Sequence, residues 1–147
     1  MHAKTWHSHP RIAYTRCDVV RDSLPGSQYD IVVWDAAIEH FALVDIHAVL
    51  EKVEAALRPG GVICGYTILN DGPQMHPDHL HEFVTASQLA DVLRRKFPNV
   101  LTLETVYPDR HNVYFRAGPV DRFLGGFRDP RDVEAGARAE ATLVADV

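Results

Sequence analysis

Two short stretches of the chain concentrate the side chains that could do chemistry. Glu39 and His40 form the first, shortly after an apolar run, and residues 76–82 form the second. Imidazole titrates near neutral pH, so His40 is a candidate general base, with Glu39 orienting it or binding a substrate. The second stretch holds three imidazoles and two carboxylates in seven residues, a composition suited to zinc or iron. A metal ion there would be bound by His76, His79 and His81.

Each stretch also has a purely structural interpretation. His40 could pack against Phe41 on a loop, and histidine-rich loops are common on protein surfaces. The sequence has no Gly-x-Ser-x-Gly elbow to expose a serine nucleophile and no Walker-type phosphate loop. For residues 76–82 the sequence leaves three interpretations open: a metal site, a loop that binds or covers an acceptor substrate, and a solvated surface.

The elements around the first stretch are predicted by their apolar patterns. Residues 29–34 run nearly without polar interruption, as a strand covered on both faces must. From Asp45, apolar residues recur at spacings of three and four and form one helix face: Ile46, Val49, Leu50, Val53 and Leu57. The turn Pro59-Gly60-Gly61 must end this helix, and residues 62–67 form the next buried strand. This order predicts an open α/β sheet with a ligand site at the carboxyl ends of its strands.

The flanking segments add three further predictions. Residues 12–17 alternate apolar and polar side chains, which predicts a strand that ends at Asp18. Residues 68–84 show no helical or strand period, and so long a loop inside a compact domain is usually functional. A capping box over residues 85–88 begins a helix that Pro98 stops.

The C-terminal part of the chain is predicted to close the domain with a hairpin. Residues 100–107 and 112–117 alternate as strands on either side of a turn. Residues 1–117 are therefore expected to form one α/β domain. Residues 118–147 are rich in Gly, Arg, Asp and Ala and have no clear apolar face, so we expect a tail or an accessory helix there.

Composition and charge narrow the class of protein. The 147 residues are 46% hydrophobic and 24% charged, as in soluble globular domains. A net charge of -5 argues against a nucleic-acid partner, which usually requires a basic face. No apolar run approaches the roughly 20 residues of a membrane helix, and the N-terminus lacks the apolar core of a secretory signal. A cytoplasmic protein with no membrane partner and with free thiols at Cys17 and Cys64 is expected.

Four of these features together resemble the class I S-adenosylmethionine-dependent methyltransferases. They are the strand Tyr29-Asp30-Ile31-Val32-Val33, the following Ile38-Glu39-His40, the turn Leu57-Arg58-Pro59-Gly60-Gly61-Val62, and the closing hairpin. The resemblance covers residues 12–117. In that family seven strands lie in the order 3-2-1-4-5-7-6, the last of them antiparallel, and the cofactor lies across the strand ends. The resemblance implies a methyltransferase, or a fragment of one, that uses S-adenosylmethionine and acts on a small-molecule acceptor.

The sequence departs from the family at its start. The family's first two strands and glycine-rich cofactor loop belong upstream of Ile12, where only eleven residues stand. The expected fold class is therefore α/β: a partial Rossmann-like methyltransferase sheet, mostly parallel with a C-terminal antiparallel hairpin, lacking the first two family strands.

This departure would leave a strand edge unpaired, which is costly or sticky. Residues 12–17 could pair directly beside residues 29–34, or another chain could supply the edge. We expect a truncated form of a longer enzyme, or a fragment that associates with itself as a homodimer or through the exposed edge. The alternative from another class is a non-catalytic interaction module that keeps the sheet without the cofactor site.

The resemblance also implies cofactor-binding residues. Asp18 and Val19 would lie at the adenine rim of the cofactor, and Asp35, Ala36 and Ala37 would line it where the strand ends. Asp18 could equally be an ordinary turn residue, and Asp35 a helix cap.

On the acceptor side, the resemblance places His40 as the catalytic base and Glu39 as its orienting or substrate-binding neighbour. Five residues in the later loops would contact the acceptor: His76, His79, Glu82, Arg110 and His111. A solvated turn is the alternative for the last two. No metal ligand is assigned by the resemblance.

Overall fold

Four strands form one mixed sheet in the computed structural model of the chain, which describes residues 9–70, 72 and 76–119. They are β1 (Tyr29–Val33), β2 (Leu57–Leu69), β3 (Asn99–Val106) and β4 (His111–Gly118), in the order β1-β2-β4-β3. β1 and β2 are parallel, and β4 is antiparallel to both of its neighbours. This order and direction match the 4-5-7-6 part of the family sheet. The predicted fold class is confirmed, including the C-terminal antiparallel hairpin, but the described sheet has four of the seven family strands where the sequence predicts five.

Two helices, α1 (Leu43–Ala56) and α2 (Ala86–Arg94), cover one face of this sheet. The apolar face predicted for the first helix is buried, and in α2 Leu89 and Leu93 are fully buried. They pack against strand residues that alternate toward them, such as Ile63 and Phe115. Full burial of one such side chain contributes about 1.5–3 kcal/mol. Most of the described core lies at this interface between the two helices and the sheet.

The opposite face of the sheet is only partly covered by the described residues. Ile31 and Val33 in β1 are 58% and 66% exposed, and Leu103 in β3 is 59% exposed. Val32 packs against the core, so its two neighbours point away from both helices. The strand predicted over residues 29–34 is present, but the prediction that both of its faces are covered is wrong, because both helices lie on the other side.

The strand predicted over residues 12–17 is not formed. These residues have no strand pairing, and Ile12 is 50% exposed. Alternation of side chains favours a strand only where a hydrogen-bonded partner exists, and the only partner of β1 within residues 9–70, 72 and 76–119 is β2. The idea that residues 12–17 pair beside β1 is therefore also wrong, and the outer edge of β1 has no strand beside it in the described part.

The junction between α1 and β2 lies earlier than the sequence predicts. The helix ends at Ala56 and β2 begins at Leu57, so the turn Pro59-Gly60-Gly61 falls inside the strand as an irregularity. Proline restricts the preceding Arg58 to extended backbone, which favours the early end of the helix. Gly60 has φ 84°, the left-handed conformation expected of a glycine at this turn.

The capping box predicted over residues 85–88 begins α2. Thr85 Oγ1 accepts a hydrogen bond from the Gln88 backbone N–H at 3.2 Å. The Gln88 side-chain oxygen accepts from the Val84 N–H at 2.8 Å, one residue before the cap rather than at the cap itself. The first bond satisfies a donor that the helix start leaves free, and the second satisfies the N–H of the residue before the cap.

Residues 120–147, on which most of the tail or accessory-helix prediction falls, lie outside the described residues. The domain division at residue 117 therefore stays a prediction, although β4 continues to Gly118. In the described part, no helix combines the length and the apolar character needed to cross a bilayer.

His47 on α1 makes the stability of the helix layer sensitive to acid. Burial, together with the charges of Arg95, His81 and Lys96, lowers the pKa of His47, and the Arg95 guanidinium donates to its Nε2 at 3.2 Å. The unfolded chain, with a His pKa of about 6.5, therefore binds this proton more readily, and stability falls as the pH drops below that value. Between pH 7 and pH 5, we expect the free energy of unfolding to fall less for His47→Gln than for wild type. The difference should be at most about 0.5 kcal/mol, because solvent screens the site.

Urea unfolding at the two pH values measures this difference. His9→Gln, at an exposed site remote from Arg95, is the matched control and should follow the wild type. An identical acid dependence for His47→Gln and wild type would contradict the assignment.

Candidate functional site

The candidate site lies at the carboxyl ends of β1 and β2. The residues that follow β1 remain hydrogen-bonded to β2. The Trp34 N–H donates to Cys64 O at 2.8 Å, and the Ala36 N–H donates to Tyr66 O at 2.9 Å. A short 3-10 turn, Ile38–His40, follows and carries the two predicted catalytic side chains. The end of the parallel pair therefore positions this turn, as the open-sheet pattern predicts.

Glu39 is buried under this turn, with only 5% of its surface exposed. Its Oε2 accepts a hydrogen bond from the hydroxyl of Thr67 in β2 at 2.9 Å. A buried carboxylate is costly unless it is hydrogen-bonded or paired, so the Thr67 contact is needed to hold it. Glu39 therefore faces the protein interior rather than open solvent.

His40 is exposed on the same turn. Its Nδ1 lies 2.9 Å from the backbone oxygen of Asp78. A carbonyl oxygen only accepts hydrogen bonds, so Nδ1 donates, and in the neutral imidazole Nε2 then keeps its lone pair. That tautomer is the one required of a general base or of a metal ligand acting through Nε2.

The histidine-rich stretch is fixed to this turn by backbone hydrogen bonds. The Leu80 and His81 N–H groups both donate to the Glu39 backbone oxygen, at 2.9 and 3.2 Å. At its end, Phe83 is buried and forms an isolated bridge with Leu69 of β2. Residues 76–82 thus lie against the Glu39–His40 turn and form a wall beside it.

His79 and Glu82 form a buried pair within this wall, with side chains 6% and 7% exposed. His79 Nδ1 contacts the Glu82 carboxylate, which also accepts from the Asn70 side chain and, at 2.8 Å, from the His76 N–H. Burial alone would raise the pKa of Glu82, but the hydrogen bonds from His76, His79 and Asn70 outweigh it and lower that pKa. Glu82 is therefore an anion that orients the His79 ring.

Two histidine rings surround His79. The His76 ring is stacked against it at 4.6 Å, and the His40 ring meets it edge-on at 5.1 Å. One ligand atom each of Glu39, His40 and His79 lies within 4.8 Å of the others. The predicted metal set of His76, His79 and His81 is not brought together in this way among the described residues; the His81 ring packs against Phe83 instead.

The predicted adenine-rim residues lie in a hydrogen-bonded turn. Asp18 is exposed, and its Oδ1 accepts from the Val20 and Arg21 N–H groups at 3.0 and 3.2 Å. Val19 is half-buried against the core. The Lys52 ammonium on α1 fastens the turn, because it donates to the backbone oxygens of Val19, Val20 and Asp22.

The other predicted cofactor residues follow β1 directly. Asp35 is exposed and its Oδ1 accepts from the Tyr66 N–H at 3.1 Å, so it ties the strand ends together. Ala36 has φ 47°, the left-handed region that a non-glycine residue rarely adopts. Such backbone strain clusters at ligand sites. Ala37 precedes the 3-10 turn as its N-cap.

Arg110 and His111 lie at the tip of the β3–β4 hairpin. Because His111 pairs with Leu69 at the end of β2, the tip is at the same end of the sheet as the site. The Arg110 guanidinium lies 5.1 Å from the centre of the Tyr107 ring, and His111 Nε2 lies 2.7 Å from a Glu104 carboxylate oxygen. These contacts are internal to the hairpin, and no described contact joins either residue to the Glu39–His40 turn.

Sequence reasoning missed two residues that position the site. Thr67 reads as one more buried strand residue, and its hydroxyl partner is set by the tertiary fold. Lys52 stands three residues after Val49 at the margin of the apolar face of α1, and a lysine there signals a long side chain that can reach a neighbouring loop.

The site is an open surface with one wall built. Two cavities in the described part, of about 410 and 280 Å³, lie elsewhere: the first includes Leu57 and Pro59 near the start of β2, the second Ser23 and Lys52. Neither is lined by a predicted site residue. Of the predicted cofactor residues, Asp35–Ala37 lie at this end of the sheet. The Asp18 turn is held by Lys52 in the second half of α1, and no described contact joins it to Asp35–Ala37.

Comparisons with known proteins place this geometry in a structural class. No family model matches the sequence, and no curated protein does. Solved structures do match. One is 1,6-didemethyltoxoflavin-N1-methyltransferase of Burkholderia thailandensis, solved with bound 1,6-didemethyltoxoflavin and S-adenosylhomocysteine. The match covers 81% of this chain and 55% of that protein, at 23% identity and a TM-score of 0.62.

Two further structures agree. Human N-acetylserotonin methyltransferase in complex with SAM matches over 80% of this chain and 37% of its own length, at 16% identity and a TM-score of 0.59. The S-adenosylmethionine-dependent methyltransferase SibL matches over 72% and 35%, at 16% identity and a TM-score of 0.58. This chain thus has the fold of S-adenosylmethionine-dependent methyltransferases and spans about a third to just over half of their length.

Proposed function

We propose that this chain is the acceptor-side part of an S-adenosylmethionine-dependent methyltransferase that acts on a small molecule. The observation that carries the proposal is the Glu39–His40 turn at the end of β1, in a sheet whose strand order methyltransferases share. Composition and charge support the same reading, with a cytoplasmic location and no nucleic-acid partner. The acceptor would be an oxygen or nitrogen nucleophile.

S-adenosylmethionine would supply the methyl group in this chemistry. His40 would act on the acceptor, because its Nε2 lone pair is free and its ring is open to solvent. Glu39 would be a positioning residue: its backbone oxygen holds the histidine-rich wall, and its buried carboxylate is bound to Thr67. His76, His79 and Glu82 would shape the acceptor side, with Arg110 and His111 at its rim.

The cofactor would meet only part of its site on the described residues. Asp18 would bind it through its carboxylate, beside Val19, and the backbone of Asp35, Ala36 and Ala37, strained at Ala36, would form the floor. The remaining walls must come from residues other than those described, or from another chain. Weak binding of the cofactor product by this chain alone is the direct consequence.

Calorimetry with S-adenosylhomocysteine tests this proposal. We expect wild type to bind at high micromolar to millimolar ligand, and Asp18→Asn to weaken binding at least about tenfold, because a hydrogen bond to a charged group is worth roughly 1.5–3 kcal/mol. Asparagine keeps the turn, since it also accepts from backbone N–H groups. Asp91→Asn, an exposed change on α2, is the matched control.

The outcomes separate the two classes of function. No binding at millimolar S-adenosylhomocysteine would overturn cofactor binding by this chain and favour the interaction module. Binding that Asp18→Asn leaves unchanged would move the cofactor away from the Asp18 turn.

A further inference from the structure

Glu39, His40 and His79 come from two segments that the fold brings together. Glu39 and His40 are neighbours on the 3-10 turn. His79 belongs to residues 76–82, which are bound to the Glu39 backbone oxygen by the Leu80 and His81 N–H groups. Glu39 and His79 are 5% and 6% exposed, whereas His40 is open to solvent. The cluster is therefore buried on one side and accessible on the other.

Each imidazole in the cluster is oriented by an acceptor on Nδ1. Asp78 O takes this role for His40, and the Glu82 carboxylate takes it for His79. Histidines that bind metal ions are held in this way: the second nitrogen donates to a carbonyl or carboxylate, which fixes the tautomer and directs the Nε2 lone pair at the ion. Both Nε2 atoms are thus prepared to bind.

Only one oxygen of the Glu39 carboxylate has a described hydrogen-bond partner. Thr67 donates to Oε2, and no described hydrogen bond joins the Glu39 carboxylate to either imidazole. One ligand atom of each of the three groups lies within 4.8 Å of the others, with no described hydrogen bond between the groups.

We propose that Glu39, His40 and His79 bind a divalent transition-metal ion, zinc in the first place, with one coordination position open. Two imidazoles and one carboxylate are the ligand set of open zinc sites and of related iron sites. Ligand atoms around tetrahedral zinc lie about 3.4 Å apart, so atoms now within 4.8 Å must draw together by up to about 1.4 Å. The exposed His40 ring provides the entry path and the movement.

The fourth position would hold water or an acceptor oxygen. A metal ion there lowers the pKa of a bound hydroxyl, which does by Lewis acidity what a free His40 would do by accepting a proton. The metal site itself does not depend on methyl transfer, and binding of the ion is measurable whether or not the chain binds S-adenosylhomocysteine.

Zinc titration of the full, untagged chain tests the proposal, with Co²⁺ absorption as a second probe of tetrahedral binding. We expect one equivalent of Zn²⁺ per chain. His40→Ala should weaken binding at least about 100-fold, and Glu82→Gln about 10- to 100-fold, because loss of an orienting partner has that effect. His40 is exposed, so its replacement should leave the far-UV circular dichroism spectrum unchanged.

The double variant His76→Ala/His81→Ala is the matched control, because it removes the other two histidines of the same stretch. Its zinc affinity should stay within about threefold of wild type. The reverse pattern, in which the double variant loses zinc and His40→Ala keeps it, would overturn the proposed ligand set. Absence of stoichiometric zinc binding by the folded wild type would overturn the site.

Discussion

Gly65→Ala is expected to lower the free energy of unfolding by about 3 kcal/mol or more, a large share of the 5–15 kcal/mol typical of a domain. A Cβ on Gly65 would lie 1.9 Å from the Trp34 backbone oxygen and 2.6 Å from its carbonyl carbon. Neither atom can move as a side chain could. The methyl group fits only if β2 and the segment after β1 separate.

That separation would also damage the candidate site. The segment after β1 is held on β2 by the Trp34 and Ala36 N–H groups, which donate to backbone oxygens on either side of Gly65. We therefore expect Gly65→Ala to weaken binding of S-adenosylhomocysteine, and of Zn²⁺, as well as stability. Urea unfolding followed by Trp fluorescence and circular dichroism measures the stability loss.

Gly72→Ala is the matched control for this change. Among the described residues, a Cβ there meets only the Asn70 side-chain oxygen, at an ordinary 3.4 Å, and Gly72 is exposed. Its effect should stay within about 0.5 kcal/mol. A Gly65→Ala protein with the urea midpoint of wild type would show that the two strand ends separate freely, and the argument from close approach would then be wrong.

The sequence predicted local elements well where one pattern determines them. The apolar spacing of α1, the Thr85 cap of α2 and the glycine turn at Gly60 all depend on a few neighbouring residues, and all three are present. The order of the strands followed from the resemblance, because periodicity does not say which strand lies beside which. Residues 12–17 show the limit, since their alternation carries no information about a partner strand.

The site was predictable in parts but not as a whole. His40 and His79 both stood out by residue type, yet they were assigned to different roles because 38 residues separate them. What unites them is the Glu39 backbone oxygen, which accepts from Leu80 and His81. Backbone hydrogen bonds between a turn and a loop leave no periodic trace in a sequence, so only the structure could show the cluster.

The second large effect is expected at the outer edge of β1: the chain alone should associate with itself, and Val33→Lys should make it monomeric. Strands of the family sheet continue on this side of the sheet, and no described strand pairs with it here. Ile31 and Val33 are 58% and 66% exposed. An unpaired edge with an apolar face is a template for pairing with a second copy, and a lysine on such an edge prevents it. Sedimentation velocity across a concentration series measures the change.

Val106→Lys is the control, because β3 is the other edge strand of the sheet and Val106 is 75% exposed. If β1 is the associating edge, Val106→Lys keeps the wild-type dependence on concentration and Val33→Lys loses it. Neither change should alter the unfolding free energy by more than about 0.5 kcal/mol, since both side chains are largely exposed. A wild type that stays monomeric at high concentration would contradict self-association, and dissociation by Val106→Lys alone would move the interface to β3.

Since a second copy lacks the glycine loop as well, self-association would protect the edge without completing the cofactor site. Any partner that completes the site must therefore compete for β1, and Val33→Lys should weaken its binding too.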